Sequence, residues 1–479
     1  MKVMYATSEA QPFVSSGGLA DVAGSLPKAL AAKGVEASVI MPYYKKSIAA
    51  EKQSEFELIA EFYVPVGWRC QYCGVHKTVL KGVTYYFLDN EYYFNREFGI
   101  YGYYDDAERF AFFSRAVLET IKHTGIIPDV INSNDWQCAL IPVYFNIYYR
   151  YQHDMKDIKN VFTVHNIEYQ GKYGFELLED VLSIPRHMGM IVEYDGCVNL
   201  MKGAFEVADK ITTVSDTYSK EIFDAWFSHG LYRALANKAY KTCGFLNGID
   251  IEMYNPATDK TIAATFSAKK KTGKKTCKTA LLERVKLPVG DEDTTPVVGI
   301  ISRLVEHKGL DLIKVVFDDI IELGYKVVIL GSGEYIYENF FHEKQNQYPD
   351  KVSFTCGFVP ELARMIYAGA DMFLMPSKSE PCGLAQMISL RYGTIPVVRA
   401  TGGLNDSISD CGDGKGNGFR FETYNAHDML DALERARRMY DDKRAWNSLT
   451  TRALNCDFSW NNSAELYIGL YTELCGREE

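Results

Sequence analysis

Two stretches of the chain set adjacent glycines just ahead of a helical pattern: SSGGLADVAGSLP at 15–27 and ATGGLNDS at 400–407. Glycine removes the β-carbon, so a ligand can approach the backbone, and the first turn of a helix presents N–H groups to an anion. Gly17 and Gly18 follow the strand pattern MKVMYAT, and Thr401, Gly402 and Gly403 repeat the arrangement after TIPVVRA. Two such shelves suit a phosphorylated ligand, while turning the chain is the plainer use of either glycine pair. Three more groups have matching chemistry. ISRLVEHKGLDL places Arg303 and Lys308 after a strand and at the start of a helix, where two cations can neutralise a diphosphate without a metal. MPSKSEPCGLAQM sets Glu380 ahead of Cys382 and Gly383, so the opening of a helix offers N–H donors while the carboxylate accepts from sugar hydroxyls. TVHNIEYQGKYG puts His165 and Asn166 at the end of a strand. The plainer alternatives are solvated bases in a loop, an acid stabilising a helix's first turn, and a hydrogen-bonded histidine.

The elements that position these residues alternate strand and helix. VEASVIMP, GVTYYFLD, PDVINSND, NVFTVHN and KITTVS read as strands in the first half, and TPVVGIISR, YKVVILGSG, KVSFTCG, ADMFLMPS and TIPVVRA in the second. Such alternation predicts parallel sheets flanked by helices, with ligands at the carboxyl ends of the strands. A chain of 479 residues accommodates two or three domains. The economical α/β arrangement is two Rossmann-like domains facing each other across a cleft. Residues 244–295 read as the boundary region. Its lysine run KKKTGKKTCK fails the phosphate-loop pattern, because Ala268 stands where the first glycine belongs, and reads as a solvated helix face. Asp291 and Asp293 read as a polar turn. The aromatic stretch 84–113 suits sugar faces or core packing equally well.

Composition narrows the partners. A net charge of −10 argues against nucleic acid and anionic membranes, which reward a basic surface. Eleven scattered cysteines fit reduced thiols in a cytoplasm. Cys70 and Cys73, with His76 nearby, read as strand residues and not as a metal site, so no metal is expected. No export signal and no apolar run of about 20 residues is apparent, and the expectation is a soluble cytoplasmic protein.

Taken together, SSGGLADVAGSLP, NDWQ, TVHNIEYQG, FLNGID, SRLVEHKGLDL, PSKSEPCGL, RYGTIPVVRATGGL and FSWNNSAELY resemble, in order and nearly end to end, the bacterial glycogen synthase and plant starch synthase family. The resemblance implies the two-domain GT-B fold: an N-terminal Rossmann-like domain over 1–245 on the acceptor side, a C-terminal one over 246–455 on the nucleotide-sugar side, and a helical tail over 456–479 crossing back to the first. It implies retaining transfer of glucose from ADP-glucose, a co-substrate, to the nonreducing end of an α-1,4-glucan or malto-oligosaccharide, without a cofactor. Arg303 and Lys308 would then bind the diphosphate and stabilise the leaving nucleotide. Glu380 and the backbone at Cys382, Gly383 and Leu384 would hold the glucose hydroxyls. Gly18, Asp21, His165 and Asn247 would come from the first domain and its border, with the backbone carbonyl near His165 facing the positive sugar. Ser15, Gly17, Thr401, Gly402 and Gly403 complete the implied donor side, and Asp135, Trp136, Gln137, Asn166 and Tyr169 the acceptor side.

The chain departs from the family pattern at Ser15, usually lysine, and at Asn134 and Gln137, usually histidines flanking the Asp-Trp pair. It also departs at Lys378 and Ser379, usually arginine and phenylalanine. Two further readings stay open: a glucan-binding or regulatory protein with little turnover, and a synthase preferring UDP-glucose. A missing cation beside a phosphate is costly, since two unit charges about 4 Å apart interact by roughly 4 kcal/mol at an effective dielectric of 20. Ser15→Lys is therefore expected to raise turnover with ADP-glucose at least several-fold. Unchanged kinetics in a folded variant would show that the loop does not address the phosphates or that another lysine serves them.

Overall fold

Apolar strand runs alternating with helices build one large parallel-cored sheet in each of two units, in a computed structural model that describes residues 1–289 and 295–476. The first unit comprises Met1–Gly248 together with the segment that begins at Trp460, and the second is Ile249–Ser459. Asp291 and Asp293 lie outside the described residues.

The first unit contains β1 (Lys2–Ala6), β2 (Glu36–Pro42), β3 (Glu57–Val66), β4 (Arg69–Leu80), β5 (Val83–Asp89), β6 (Val130–Asn134) and β7 (Lys159–Val164). A small antiparallel sheet follows, made of β8 (Lys172–Tyr173), β9 (Glu193–Tyr194) and β10 (Cys197–Asn199), and then β11 (Lys210–Thr213) and β12 (Thr242–Gly244). The large sheet runs β12-β11-β7-β6-β1-β2-β5-β4-β3. Its strands are parallel from β12 to β5, and the purely parallel expectation is corrected at one edge, where β3 and β4 form an antiparallel hairpin against β5. Burial explains the difference. VINSN of β6 is buried throughout, as a strand covered on both faces must be. The second half of β3 alternates exposed and buried residues, the pattern of a strand with one wet face. Cys70 and Cys73 lie on β4, the first exposed and the second buried. Most of the aromatic stretch 84–113 packs inside, including Tyr85, Phe87, Tyr93, Phe94, Phe110 and Phe112, while Tyr92, Phe98 and Tyr104 face solvent.

The second unit contains β13 (Val297–Ile301), β14 (Lys326–Gly331), β15 (Val352–Cys356), β16 (Met372–Met375), β17 (Ile395–Arg399) and β18 (Phe419–Phe421). All are parallel, in the order β15-β14-β13-β16-β17-β18. Its core joins strand residues such as Val298, Ile329 and Leu374 to Ile313 and Phe317 of helix Leu310–Glu322 and to Leu433 of helix Ala426–Asp441.

The lysine run is corrected as well, because part of helix Thr272–Arg284 turns inward. Lys274 Nζ donates to Tyr392 O at 2.9 Å, Thr394 Oγ1 at 2.8 Å and Ala368 O at 3.2 Å. Lys278 Nζ pairs with Asp371 Oδ2 at 2.8 Å and donates to Thr295 O at 2.7 Å. Burial lowers the Lys274 ammonium to about 8; it opposes the charge of Lys278 too, but there Asp371 and Tyr440, through charge and hydrogen bonds together, outweigh it and raise the group.

Candidate active site

In a doubly wound sheet the ligand crevice opens at the carboxyl ends of the two central strands whose connections leave in opposite directions. The second unit has that point between β13 and β16, since β14 and β15 extend one way and β17 and β18 the other. The loop after β13 carries Arg303 and Lys308, and the loop after β16 carries Glu380. A pocket of about 210 Å³ lies there, lined by Arg303, Lys308, Glu380, Gly383 and Leu384 over an apolar floor that includes Leu374.

Glu380 is only 8% exposed. Lys308 Nζ donates to its Oε1 at 3.0 Å and Oε2 at 2.8 Å, and Ser377 Oγ donates to Oε2 at 2.9 Å. Burial alone would raise the carboxyl, but the Lys308 charge and these hydrogen bonds outweigh it and hold Glu380 below the usual glutamate range. The sequence assigned Lys308 and Glu380 to separate parts of a ligand. The structure pairs them, so a diphosphate that draws on Lys308 competes with Glu380 for it. Arg303 is exposed, and among the described residues nothing pairs with its guanidinium. It is the ready cation of this pocket.

The backbone around Glu380 is closely tied. Arg399 Nη1 donates to Lys378 O at 2.7 Å, and Gln386 Nε2 donates to Cys382 O at 3.1 Å and Gly383 O at 2.8 Å. Gly383 has φ +71°, and a Cβ there would lie 2.5 Å from Gln386 Oε1. Leu384 leads into helix Ala385–Arg391. At Gly402 and Gly403 the expected anion shelf is corrected. The Gly403 N–H donates to Glu380 O at 3.1 Å and Pro381 O at 3.2 Å. A Cβ would meet Glu380 O at 2.1 Å from Gly402, and Cys382 O at 2.0 Å from Gly403. These glycines let helix Gly402–Ser407 press against the loop that holds Glu380. Thr401 precedes that helix and is fully buried.

The first unit has its own reversal point between β1 and β6. The loop after β1 runs to helix Gly18–Ala32, with Ser15, Gly17, Gly18 and Asp21 all exposed. A Cβ at Gly17 or Gly18 would meet nothing within 4 Å, so here, unlike at 402 and 403, packing does not demand glycine. The backbone N–H groups are not all open, however: Ser16 N–H donates to the carboxylate of Glu9, a residue 3% exposed beneath the loop. Burial raises the Glu9 carboxyl despite hydrogen bonds from Ser16, Tyr101 and Gly17.

After β6, Asp135 has φ +54° and opens the short helix Asp135–Cys138. Its Oδ1 accepts the backbone N–H of His165 at 2.8 Å and of Asn166 at 3.4 Å, which fixes the chain where β7 ends. His165 Nε2 lies 2.9 Å from Asn134 Oδ1. Burial lowers the His165 imidazole to about 3, so it is neutral at physiological pH. Trp136 packs edge-on to Phe110 at 5.1 Å and covers Gly171. Gln137 is buried with no partner for Oε1 among the described residues, as is Asn247 at Oδ1. Tyr169 is half exposed.

Burial raises Asp135 to about 7 against the two N–H groups that lower it. The folded state therefore bears the cost of its charge in full above about 7, less of it as pH falls, and none below the ordinary aspartate range. Asp135→Asn keeps an oxygen for both N–H groups and removes the charge. Its melting temperature should exceed the parent's at pH 8, with the gain shrinking by pH 5. A loss of stability at both pH values would overturn this account.

Glu9, Ser377, Arg399 and Phe358 were missed by reading motifs. Phe358 is 91% exposed just beyond β15, where Gly357 N–H donates to Gly331 O at the end of β14. A bare ring at the carboxyl edge of the sheet is a stacking face. The signal for Glu9 was an acid set between a core strand and a glycine loop. For Phe358 it was an aromatic following the CG turn after a strand.

Comparison with known proteins bears on this geometry. Residues 2–237 match the starch synthase catalytic domain model, and residues 285–450 the glycosyl transferases group 1 model. The chain is 45% identical over 483 residues to a glycogen synthase of Geobacillus thermodenitrificans, covering 100% of this chain and 99% of that one. It is 46% identical over 478 residues to a glycogen synthase of Alkaliphilus metalliredigens, covering 99% and 100%. The catalytic domain of starch synthase IV from Arabidopsis thaliana, solved bound to ADP and acarbose, superposes with a TM-score of 0.89 at 34% identity, covering 99% of both chains. A sucrose-phosphate synthase from Thermosynechococcus elongatus, at 15% identity and a TM-score of 0.62, shares the fold. With its two parallel-sheet units and these relatives along its whole length, the chain belongs to the glycogen and starch synthase family, glycosyltransferases of the two-domain α/β architecture called GT-B.

Proposed function

We propose that the protein transfers glucose from ADP-glucose to the nonreducing end of an α-1,4-glucan, with retention at the anomeric carbon. The observation that carries this reading is the pocket at the β13/β16 reversal, where Arg303, Lys308 and Glu380 meet. Arg303 and Lys308 receive the diphosphate, and their positive charge opposes the negative charge that grows on the departing nucleotide. As Lys308 turns to the phosphates, Glu380 is released to accept from glucose hydroxyls, so the ion pair exchanges partners without leaving a buried charge alone. Phe358 offers a face for the base. His165 and the Asp135-fixed backbone stand at the carboxyl end of the first unit's own reversal point. The ADP bound by the related starch synthase IV supports an adenine nucleotide as the leaving group.

Among the described residues no helix is long and apolar enough to cross a membrane, and no group of three or more His, Cys, Asp or Glu is placed to hold a metal ion. Among them no two cysteines are bonded, which suits the reducing cytoplasm we assign as the location.

The test offers the purified chain ADP-glucose or UDP-glucose with glycogen, and measures nucleotide release and glucan length. Release of ADP with elongation is the expected result. Faster release of UDP would reassign the donor, and glucan binding without release of either nucleotide would overturn the enzymatic reading.

A further inference from the structure

A buried carboxylate keeps its charge only while a cation or hydrogen-bond donors stand against it. Glu380 takes its cation from a residue that a diphosphate in the same pocket also needs. One ammonium, Lys308 Nζ, makes both bonds to it, at 3.0 and 2.8 Å, and the Ser377 hydroxyl adds one at 2.9 Å. The loop that carries Glu380 is held from behind and cannot follow if Lys308 turns away. The Glu380 carbonyl accepts the Gly403 N–H at 3.1 Å, Arg399 Nη1 donates to Lys378 O at 2.7 Å, and Gln386 Nε2 donates to Gly383 O at 2.8 Å. The Lys308 backbone is pinned as well. Its N–H donates to Val305 O at 3.1 Å, and the next residue, Gly309, lies so close to Pro376 that a Cβ would sit 2.0 Å from the carbonyl oxygen. The flexible stem of the lysine is the part free to move.

Other charged or titratable groups stand near the carboxylate. His307, in the same turn as Lys308, acts on Glu380 in the same direction, and Arg303 shares the pocket lining. On the Glu380 side, Lys378 Nζ reaches Glu306 Oε1 at 3.4 Å, Arg399 Nη1 also reaches Ser377 O at 3.4 Å, and the Cys382 thiol lies 3.4 Å from Gly383 O.

We propose that the pocket tells a bare nucleoside diphosphate from a sugar nucleotide by a proton: the diphosphate binds together with one proton, taken up by Glu380, and the sugar nucleotide binds with none. The proposal rests on the donor reading given above and adds to it the fate of the carboxylate. When diphosphate oxygens draw Lys308 away, Glu380 loses its cation and gains negative charge as a neighbour, and both changes raise a buried carboxyl. A sugar nucleotide brings hydroxyls that donate to the carboxylate and keep it ionised. The bare diphosphate brings none, so a proton takes their place. The same choice recurs after the sugar has been transferred. Either Glu380 takes a proton and the nucleotide stays, or Lys308 returns to Glu380 and the nucleotide loses a cation. Rising pH favours the second course, so retention of the product should weaken as pH rises.

The probe is ADP methylated on its terminal phosphate. It carries the charge of ADP-glucose, has no sugar at that end, and lacks the free terminal phosphate that itself titrates at about pH 6. Calorimetric titrations of the full chain at pH 6.5, in buffers of differing ionisation enthalpy, give the protons that accompany each ligand. The methyl ester should take up at least about half a proton more than ADP-glucose, and Glu380→Gln should abolish the difference. Because the two ligands carry the same charge, protons moved on His307 or other groups by that charge cancel between them. From pH 5.5 to 8 the affinity for the methyl ester should fall at least about threefold relative to that for ADP-glucose. Equal proton uptake, a constant ratio of affinities, or a difference that survives in Glu380→Gln would overturn the proposal and leave the donor pocket standing. Binding of ADP-glucose without binding of the methyl ester would overturn it too, since the phosphates would then not draw Lys308 by themselves. Failure of ADP-glucose to bind would remove the donor reading and the proposal together. The comparison of the two ligands in the parent chain decides the matter even if the variant folds poorly.

Discussion

Replacing Lys308 by alanine is expected to lower turnover about a hundredfold or more, the scale seen when a charge that stabilises a leaving group is removed. The fold should survive, because Glu380 can take up a proton once its cation is gone and the apolar core of the second unit lies elsewhere. The residual rate should also change its pH dependence. With Lys308 present, Glu380 stays ionised below the usual glutamate range, and the stability contributed by the pair is lost only as pH falls through that lowered value. Without Lys308, burial is left as the dominant influence and pushes the Glu380 carboxyl up. The acid limb of the rate profile should then begin at a higher pH than in the parent. Initial rates with ADP-glucose and glycogen across pH, with melting curves alongside, check all three statements. A barely changed turnover, or a variant that does not fold, would remove the leaving-group role from Lys308.

Gly403→Ala is expected to cost about 1–3 kcal/mol of stability, the range for forcing extra volume into a closely packed site, and to slow the enzyme as well. The added carbon would sit 2.0 Å from Cys382 O and 2.5 Å from Cys382 Cα, both backbone atoms. No rotamer relieves such a clash, so the strand of chain from Glu380 to Cys382 has to move, and the carboxylate moves with it. Gly18→Ala is the control. Nothing lies within 4 Å of a Cβ at Gly18, the first residue of helix Gly18–Ala32, and glycine gives up more backbone freedom on folding than alanine does, so its unfolding midpoint in urea should match or exceed the parent's. An unchanged midpoint for Gly403→Ala would refute the packing account of the second glycine pair.

The contrast between these two glycine pairs shows what was legible in the sequence. Both precede a helix after a strand, and pattern alone made them equivalent shelves. What separates them is the neighbour above each one, supplied at 403 by residues 380–382 and at 18 by none. The strands of the second unit were legible because runs such as YKVVILG are buried on both faces and carry no competing period. The β3/β4 hairpin was not, because ELIAEFYVPV mixes charged and aromatic residues on its wet face and blurs the alternation. Lys274 and Lys278 misled for another reason. Lysine in a charged run usually faces water, and here the carbonyls of Ala368, Tyr392 and Thr295, the hydroxyls of Thr394 and Tyr440 and the Asp371 carboxylate together stabilise an inward position. Arg303, Lys308 and Glu380 were legible as polar residues at strand ends. The pairing of Lys308 with Glu380 was not, since it depends on β13 and β16 lying side by side.

The first unit is assembled from both ends of the described chain. Helix Trp460–Leu474 packs against helix Gly18–Ala32, and the Asn132 side chain in β6 donates to Tyr471 Oη at 2.8 Å. Tyr467 meets Phe245 edge-on at 4.9 Å, and Tyr467 and Tyr471 are almost wholly buried. During synthesis the segment Ile249–Ser459, continuous in sequence, can finish folding as it leaves the ribosome. The sheet begun by Lys2–Ala6 must wait with an apolar flank uncovered until residues made more than four hundred positions later arrive to close it. Within the described residues, the sheet made before the second unit is thus closed only after that unit has been made, and the interval between is when the nascent chain most needs shielding from other chains.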